Sequence, residues 1–294
     1  MAAHLSVVHP PPAQQRPRRL IRSAVRRVWP RDLVVRVEPG CPPGWRVGPP
    51  DFVGVGAQKA GTSWWHRLIS EHPSVALRPD QAKELHYFDS FFDRPFTRAD
   101  AARYHGFFPR PYGAKSGEWT PRYLTDFWAH EQLRMAAPEA GIIVLLRDPV
   151  DRYRSGLTHE LNEGARRRPT LALEAMYRGL YHRQLTALLG HFPREQVLVL
   201  QYEECCRDPL PQLERTYEFL GLDDVHHRPA SVRAQVNPTP SAKHDLPAQV
   251  RDQLVGLYEA DVAALLTQFP EIDPSLWPHF RHLAELRPSR TPNR

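Results

Sequence analysis

Cysteine is scarce in this chain, with three residues among 294. Cys41, Cys205 and Cys206 form an odd set without the spacing of a zinc site, which argues against a disulfide framework and favours a reducing compartment. The sequence also lacks the run of about 18 apolar residues that a membrane-spanning helix needs, and it opens without the apolar core of a secretory signal. We therefore expect a soluble, cytoplasmic protein without a transmembrane segment.

Lysine is scarce relative to arginine. Only four lysines stand among the 39 basic residues, namely Lys59, Lys83, Lys115 and Lys243. A lysine within a motif of so arginine-rich a chain indicates that the motif needs a compact ammonium group rather than a planar guanidinium. Histidine is plentiful, with 15 residues, but no group of them has the spacing of a metal site, so no metal is predicted.

The positive charge is concentrated at the N-terminus. The formal net charge is +6, and residues 1–36 hold eight arginines against the single acid Asp32, so the rest of the chain is close to neutral. A body without a basic stripe argues against nucleic-acid binding. We predict a disordered, Arg- and Pro-rich extension over residues 1–45, a folded domain over 46–285 and a flexible tail over 286–294. The extension is either a solubilising segment, which is the commoner role for so short a basic run, or a peripheral contact with anionic membrane lipid.

Strand-like and helix-like segments alternate along the folded region. The continuous apolar runs at 141–146 and 196–201 are typical of parallel strands covered on both faces. The alternation predicts an α/β fold in which helices flank a parallel β-sheet. The segment 89–112 is predicted to be a long loop that shapes a cleft. The predicted strands are 51–56, 74–77, 117–120, 141–146 and 196–201, and the predicted helices are 62–71, 150–163, 170–190, 209–220 and 246–268.

The strongest functional signal is the segment 51–66, DFVGVGAQKAGTSWWH. An apolar strand runs into a glycine-bearing turn that opens a helix, and the free amides at a helix N-terminus favour anions. Gly54, Gly56 and Gly61 are expected to let the backbone approach a ligand, while Lys59 adds a cation. A nucleotide-hydrolysing P-loop needs Gly-Lys-Ser/Thr, whereas here the lysine precedes the glycine by two positions. The turn is therefore predicted to hold a phosphate-like group in a manner unlike an ATP site.

A second anion site is indicated by the segment 142–157, IIVLLRDPVDRYRSGL. The apolar strand ends at Arg147, and Asp148 suits the N-cap of the helix that follows. Ser155 lies about two helical turns further on and is placed to reach back towards a ligand of Arg147. Because capped helices after core strands occur in many α/β proteins, the functional interpretation depends on the pairing with the first turn.

A candidate general base lies in the segment 83–89, KELHYFD. An attacking alcohol must lose its proton, and a carboxylate among aromatic residues can have its pKa raised towards neutrality. Glu84 is the favoured base, and the family resemblance described below implies that His86 and Asp89 are in supporting positions. The alternatives are that His86 is itself the base, or that Glu84 is a solvated acid beside Lys83.

Aromatic residues follow this candidate base. Trp119, in the segment GEWTPRYL at 117–124, either stacks on an acceptor or belongs to the core. We expect these aromatic side chains to suit a sugar, a glycolipid or a hydrophobic acceptor. They are Tyr87, Phe88, Trp119 and Tyr123.

These segments, in this order, resemble those of sulfotransferases that use 3′-phosphoadenosine 5′-phosphosulfate (PAPS), most closely the heparan-type and related carbohydrate O-sulfotransferases and their soluble bacterial relatives. The resemblance extends from Asp51 to Trp277 and implies a P-loop-like sulfotransferase fold. It also implies that Glu84 is the catalytic base and that Arg147 and Ser155 bind the 3′-phosphate. The residues implied to hold the 5′-phosphosulfate are Lys59, Ala60, Gly61, Thr62, Ser63 and Trp64.

Two further positions take their interpretation from the resemblance. The segment 237–244, NPTPSAKH, lies where family members place a basic loop over the cofactor's phosphates, so Lys243 is either part of that loop's contact or a solvent-facing lysine. Trp119 stands where heparan-type enzymes carry a lysine near the transferred group, which weakens the case for a polyanionic polysaccharide acceptor.

The expected function is transfer of the sulfuryl group of PAPS, without a metal, to a hydroxyl of a carbohydrate, a glycolipid or another small molecule. Lys59, Glu84 and His86 are the predicted catalytic residues. The alternative is a P-loop-type nucleotide-binding kinase or NTPase, which requires Gly-Lys-Ser/Thr and magnesium. The sequence predicts neither the acceptor nor the oligomeric state.

Overall fold

The structure, a computed structural model, describes residues 40–77, 82–162, 169–233 and 245–285. Its strands are β1 (Trp45–Arg46), β2 (Phe52–Gly56), β3 (Arg110–Pro111), β4 (Gly117–Trp119), β5 (Gly141–Leu146) and β6 (Val197–Gln201). Its helices are α1 (Thr62–Ser70), α2 (Arg98–His105), α3 (Phe127–Ala136), α4 (Pro149–Asn162), α5 (Pro169–Tyr177), α6 (Tyr181–Leu189), α7 (Tyr202–Arg207), α8 (Pro209–Leu220) and α9 (Ala248–Gln268). Short 3₁₀ turns cover Tyr87–Phe91, Pro121–Leu124, Arg194–Gln196, Pro274–Leu276 and Arg281–Ala284.

A parallel sheet in the order β4-β2-β5-β6 forms the centre of the described fold, which confirms the predicted α/β class. Every residue of β2 and β6 is buried, as expected for strands with helices on both faces. Phe52 of β2 pairs with Gly117 on one side and Gly141 on the other, so the carboxyl ends of β2 and β5 finish next to each other. In open α/β sheets this edge is where ligands bind.

Two of the predicted elements differ in the structure. The segment 74–77 forms only an isolated parallel bridge, between Val75 and Lys115, instead of a strand. The helix predicted over 170–190 is divided into α5 and α6. The division falls next to Gly179, where a Cβ would lie 2.7 Å from the Tyr258 ring, and the Tyr258 hydroxyl donates to the Met176 carbonyl at 2.9 Å.

The long loop predicted over 89–112 also contains regular structure. Thr97 and Asp100 form a reciprocal capping box, which starts α2 at Arg98. The Asp100 side chain accepts from the Thr97 backbone amide at 2.9 Å, while Thr97 Oγ1 accepts from the Asp100 amide at 3.3 Å. A polar capping pair thus produces a helix where the aromatic and proline content suggested irregular chain.

The glycines of β2 serve packing, which corrects their predicted role in ligand approach. A Cβ at Gly54 would lie 2.0 Å from the Trp119 ring, and one at Gly56 would lie 2.5 Å from the Leu124 side chain. Both glycines therefore make room for side chains of the neighbouring β4 region. Of the three glycines predicted to admit a ligand, only Gly61 lies in the turn itself.

The predicted N-terminal extension lies outside the described residues up to residue 39, and so does the predicted tail over 286–294. Trp45, the last residue of the predicted extension, begins β1, which pairs antiparallel with β3. Among the described residues, no helix is long and apolar enough to cross a bilayer.

Candidate active site

The turn between β2 and α1 has the geometry of an anion-binding cradle. Lys59 and Gly61 both adopt left-handed backbone conformations, with φ of 68° and 88°. Gly61 is required here because, besides its positive φ, a Cβ would lie 2.6 Å from the Tyr202 ring. Among the described residues, no side chain caps the N-terminus of α1 and no acid lies in its first turn. The positive end of this helix is therefore left for a ligand.

The other residues of this turn differ in exposure. Ala60 is fully buried and Thr62 is 5% exposed. Ser63 is half-buried, as is Trp64, whose Nε1 donates to the Val232 carbonyl at 3.3 Å. Trp64 therefore also connects the start of α1 to the segment that contains Val232.

Lys59 lies within a group of charged residues. Burial lowers the pKa of its ammonium, and the nearby Glu84 carboxylate partly opposes this effect. A Cβ built on Gly156 would lie 3.9 Å from Lys59 Cγ, so the Lys59 stem packs against α4. A partly desolvated ammonium beside an uncapped helix terminus attracts an anion strongly.

Arg147 directly follows β5 and reaches the same turn. Its Nη1 donates to the Lys59 carbonyl at 3.4 Å, and its guanidinium stacks over Tyr202, 4.9 Å from the ring centroid. Its Nε is buried and has no hydrogen-bond acceptor within the described part of the chain. Since buried donors are normally paired, this nitrogen is suited to an anionic ligand.

The residues after Arg147 hold it in place. Asp148 is fully buried and accepts from the amides of Val150 at 2.9 Å and Asp151 at 3.2 Å, which confirms it as the cap of α4. Its other oxygen contacts His279 Nδ1 at 2.9 Å. With both oxygens engaged, Asp148 is not placed to hold magnesium as a kinase would require.

Ser155 and Lys243 complete the residues predicted to bind the cofactor. Ser155 lies on α4, is 6% exposed and adjoins Gly156, against which Lys59 packs. The structure thus places Lys59, Arg147 and Ser155 in one region at the carboxyl edge of the sheet. Lys243 and the whole segment 237–244 lie outside the described residues.

Glu84 lies between two cations. Its Oε1 accepts from Lys83 Nζ at 2.8 Å, and its Oε2 lies 3.2 Å from His86 Nε2. Burial opposes ionisation, but the hydrogen bond from His86 and the charge of Lys83 outweigh it and lower the pKa of Glu84 to about 2. The sequence argument that aromatic surroundings raise this pKa is therefore wrong.

His86 is the centre of a row of charges. Its Nδ1 lies 3.0 Å from Asp89 Oδ2. Burial opposes protonation, but hydrogen bonds to Asp89 and Glu84 raise the pKa of His86 to about 9. An imidazole that is protonated at neutral pH cannot accept a proton, which argues against His86 as the base in this state.

Three of the four aromatic residues predicted to face an acceptor belong to the core instead. Trp119, Phe88 and Tyr123 are each 0% exposed. Trp119 Nε1 donates to the Gly56 carbonyl at 3.2 Å, so of its two interpretations the core residue is correct. Tyr87 is half-buried, and its hydroxyl donates to the Asp100 carbonyl at 2.7 Å.

Sequence reasoning missed Glu118, which organises the chain around Glu84. This carboxylate is 0% exposed and accepts from the Leu85 amide at 3.0 Å and from the Tyr104 hydroxyl at 2.8 Å. Thr120, which also donates to Glu118, accepts from the His86 amide at 3.2 Å. The sequence did offer one indication of this role: Glu118 is an acid between Gly117 and Trp119 within a predicted strand.

Two other residues were also missed. Lys83 joins the turn to Glu84, since its Nζ donates to Thr62 Oγ1 at 3.1 Å as well as to Glu84. Arg178 donates to the side chain of Gln58, the residue before Lys59. The role of Lys83 could have been inferred from its position next to Glu84. Arg178 is 120 residues from Gln58, so the sequence alone gives no indication of their contact. Among the described residues, no group of three or more His, Cys, Asp or Glu side chains is arranged to hold a metal.

Comparisons with known proteins agree with this geometry. The family model for a sulfotransferase domain matches residues 49–237. The chain is 28% identical over 195 residues to heparan sulfate glucosamine 3-O-sulfotransferase 3B1 of Homo sapiens, covering 60% of this chain and 47% of that protein. It is 30% identical over 205 residues to heparan sulfate glucosamine 3-O-sulfotransferase 6 of Mus musculus, covering 64% and 57%. The chain thus spans about half the length of the curated relatives it matches.

A solved structure extends the likeness to the fold. The sulfotransferase from Alicyclobacillus acidocaldarius superposes with a TM-score of 0.63 at 25% identity, covering 79% of this chain and 99% of that one. The fold is therefore the P-loop-like α/β fold of sulfotransferases. Because the family model spans well over half of the sequence, the chain belongs to the sulfotransferase family.

Proposed function

We propose that this protein is a PAPS-dependent O-sulfotransferase. The observation that carries the proposal is the convergence of Lys59 and Arg147 at adjacent strand ends, where Arg147 Nη1 lies 3.4 Å from the Lys59 carbonyl. PAPS carries an anionic group on each side of one adenosine, so it requires two cationic subsites within reach of one nucleotide. Within the described residues, α1 starts without a side-chain cap and Arg147 Nε has no hydrogen-bond partner, and both observations support this fit.

Each residue has a role in this proposal. Lys59, with the amides and hydroxyls of Gly61 to Ser63, holds the phosphosulfate and neutralises the phosphate that departs. Arg147 and Ser155 bind the 3′-phosphate. The sulfur–oxygen bond to the 5′-phosphate breaks, a bond from sulfur to the acceptor oxygen forms, and the acceptor proton passes to Glu84.

The low pKa of Glu84 is compatible with this role. In a loose transition state the acceptor oxygen keeps its proton until its bond to sulfur is well formed, by analogy with phosphoryl transfer. At that point the oxygen is electron-poor and its proton is strongly acidic. A weak carboxylate base is then sufficient, and His86 serves to orient it and not to accept the proton.

The acceptor belongs to the same proposal. A hydroxyl on a carbohydrate, a glycolipid or another small molecule fits a base at the half-exposed Glu84, whose side chain is 38% exposed. We also retain the cytoplasmic location and the membrane contact of the basic N-terminal segment as proposals from composition. The kinase or NTPase alternative is not favoured, because the turn lacks Gly-Lys-Ser/Thr and Asp148 is occupied as a cap.

Calorimetric titration with 3′-phosphoadenosine 5′-phosphate (PAP) tests the cofactor site without an acceptor. We expect Lys59→Ala and Arg147→Ala each to weaken PAP binding roughly 10- to 100-fold, since a hydrogen bond to a charged group contributes about 1.5–3 kcal/mol. Lys115→Ala is the matched control, because Lys115 contacts Asp51 at 3.8 Å, next to the amino end of β2. Binding that is unchanged in the first two variants would remove the proposal.

A further inference from the structure

Lys83 lies between the anion-binding turn and the proposed base. Its Nζ is 3.1 Å from Thr62 Oγ1 and 2.8 Å from Glu84 Oε1, and its side chain is 19% exposed. Burial lowers the pKa of its ammonium, while Glu84 opposes this effect. Burying a cation raises the free energy of the folded protein unless anions lie next to it. Among the described residues, Glu84 is the ion-pair partner of Lys83.

The two contacts of Lys83 define where its charge lies during the reaction. In an in-line transfer, the moving group lies between the oxygen that leaves and the oxygen that attacks. Thr62 belongs to the turn that holds the leaving phosphate, and Glu84 takes the proton of the attacking hydroxyl. Lys83 Nζ is within hydrogen-bond distance of both Thr62 and Glu84. It therefore lies close to the position of the sulfuryl group between the leaving oxygen and the attacking oxygen.

Hydrogen-bond polarity supports the same position. An ammonium only donates, so Thr62 Oγ1 is the acceptor of this bond and keeps its own hydrogen to donate to another group. In the part of the chain that the structure describes, Thr62 and Glu84 account for two of the three N–H groups of Lys83. The third N–H group has no hydrogen-bond partner among the described residues, so a bound anion can accept from it.

We propose, on the basis of the function proposed above, that Lys83 is a catalytic residue whose ammonium binds the oxygens of the sulfuryl group during transfer. Lys83 stays protonated throughout. It contributes charge to the group that moves, whereas Lys59 contributes charge to the phosphate that departs. Since PAPS and PAP differ only in the sulfuryl group, an interaction with that group must distinguish the two nucleotides.

The test is calorimetric titration of wild type and Lys83→Met with PAP and with PAPS, with chromatography to verify that PAPS stays intact. We expect Lys83→Met to weaken PAPS binding roughly 10-fold or more, the effect of one hydrogen bond to a charged group. PAP binding should change less than about twofold, because Thr62 remains free to donate. Lys59→Ala should weaken both nucleotides, and Lys115→Met should weaken neither.

The outcomes separate this inference from the proposed function. Equal weakening of PAP and PAPS in Lys83→Met would show that Lys83 only holds the turn, and unchanged binding of both would show that it contacts neither ligand. Either result overturns the inference and leaves the proposed function standing. A wild type that binds neither nucleotide overturns both. If Lys83→Met does not fold, Lys83→Gln, which is also neutral but can still donate to Thr62, is expected to show the same selective loss for PAPS.

Discussion

Glu84, His86 and Asp89 form a row in which a cation separates two carboxylates. Glu84 Oε2 and Asp89 Oδ2 lie 3.2 Å and 3.0 Å from the two nitrogens of His86. The pKa of His86 is raised to about 9 and that of Glu84 is lowered to about 2, so His86 and Glu84 are both charged at neutral pH. This arrangement keeps Glu84 in its base form before a substrate arrives.

The raised pKa of His86 is directly measurable. We expect the imidazole of His86 to titrate near pH 9 by nitrogen–proton correlation NMR, and Asp89→Asn to move its pKa down towards the ordinary value of about 6.5. His279, whose pKa is raised by its hydrogen bond to Asp148, is the internal comparison and should not respond to this change. A His86 that titrates near 6.5 in wild type would contradict the proposed charge arrangement and restore His86 as a candidate base.

The same shift predicts a pH dependence of stability. A histidine whose pKa is raised on folding stabilises the native state fully below its unfolded pKa of about 6.5 and loses this effect as pH rises through about 9. Urea unfolding of wild type and Asp89→Asn should therefore differ most between about pH 5 and 6.5 and converge above pH 9. Because the His86 side chain is 39% exposed, solvent screening keeps the difference small. A difference that grows with pH above 6.5 would contradict the assignment.

At the scale of the elements, the glycines of β2 are explained by packing against the neighbouring β4 region. The Trp119 indole packs directly against Gly54 and is hydrogen-bonded to the Gly56 carbonyl, so β2 has no room for a side chain at residue 54. This contact joins the strand that leads to Lys59 with the segment that carries Glu118 and supports Glu84. The cofactor turn and the base are thus positioned by one packed pair of strands.

Gly54→Ala should therefore destabilise the protein. A Cβ 2.0 Å from the Trp119 ring forces the indole or the strand to move, and overpacking of this kind costs about 1–3 kcal/mol. Gly256→Ala is the control, since Gly256 lies within α9 with nothing within 4 Å of its Cβ position, and alanine there should stabilise the helix by about 0.5–1 kcal/mol. Urea unfolding checks both, and equal free energies of unfolding for wild type and Gly54→Ala would contradict the packing argument.

Sequence predicts these elements where the signal is local. The strand, turn and helix from β2 to α1, the cap at Asp148 and the apolar runs of β5 and β6 follow from residues close to one another in the chain. The role of Gly54 does not, because the side chain that requires a glycine there belongs to Trp119 on another strand. Gly179, at the break between α5 and α6, is likewise packed against a distant residue, Tyr258. The pKa of Glu84 was misjudged because the adjacent Lys83 and nearby His86 outweigh the burial that aromatic neighbours provide.

In the molecule as a whole, the proposed site contains only a few of the charged residues of the chain. Lys59, Lys83, Glu84 and Arg147 are brought together by the order of the sheet, although 88 residues separate the first from the last. The arginines that give the chain its net charge of +6 are concentrated in residues 1–36. The charges that bind the cofactor in this proposal are therefore distinct from those that dominate the composition.

Deletion of residues 1–39 tests this separation. All proposed site residues lie after residue 50 and their described contacts are made within the same fold, so we expect the shortened chain to bind PAP within about twofold of the full chain, with an unchanged free energy of unfolding. The removed segment holds eight arginines against the two acids Asp32 and Glu38, so the full-length chain should differ mainly in properties that depend on net charge, such as salt-dependent adhesion to anionic vesicles. The comparison is made at two salt concentrations, because nonspecific attraction of the anionic nucleotide to the arginines fades at high salt. A large loss of PAP affinity that persists at high salt would show that the extension contributes to the site and would contradict the proposed domain division.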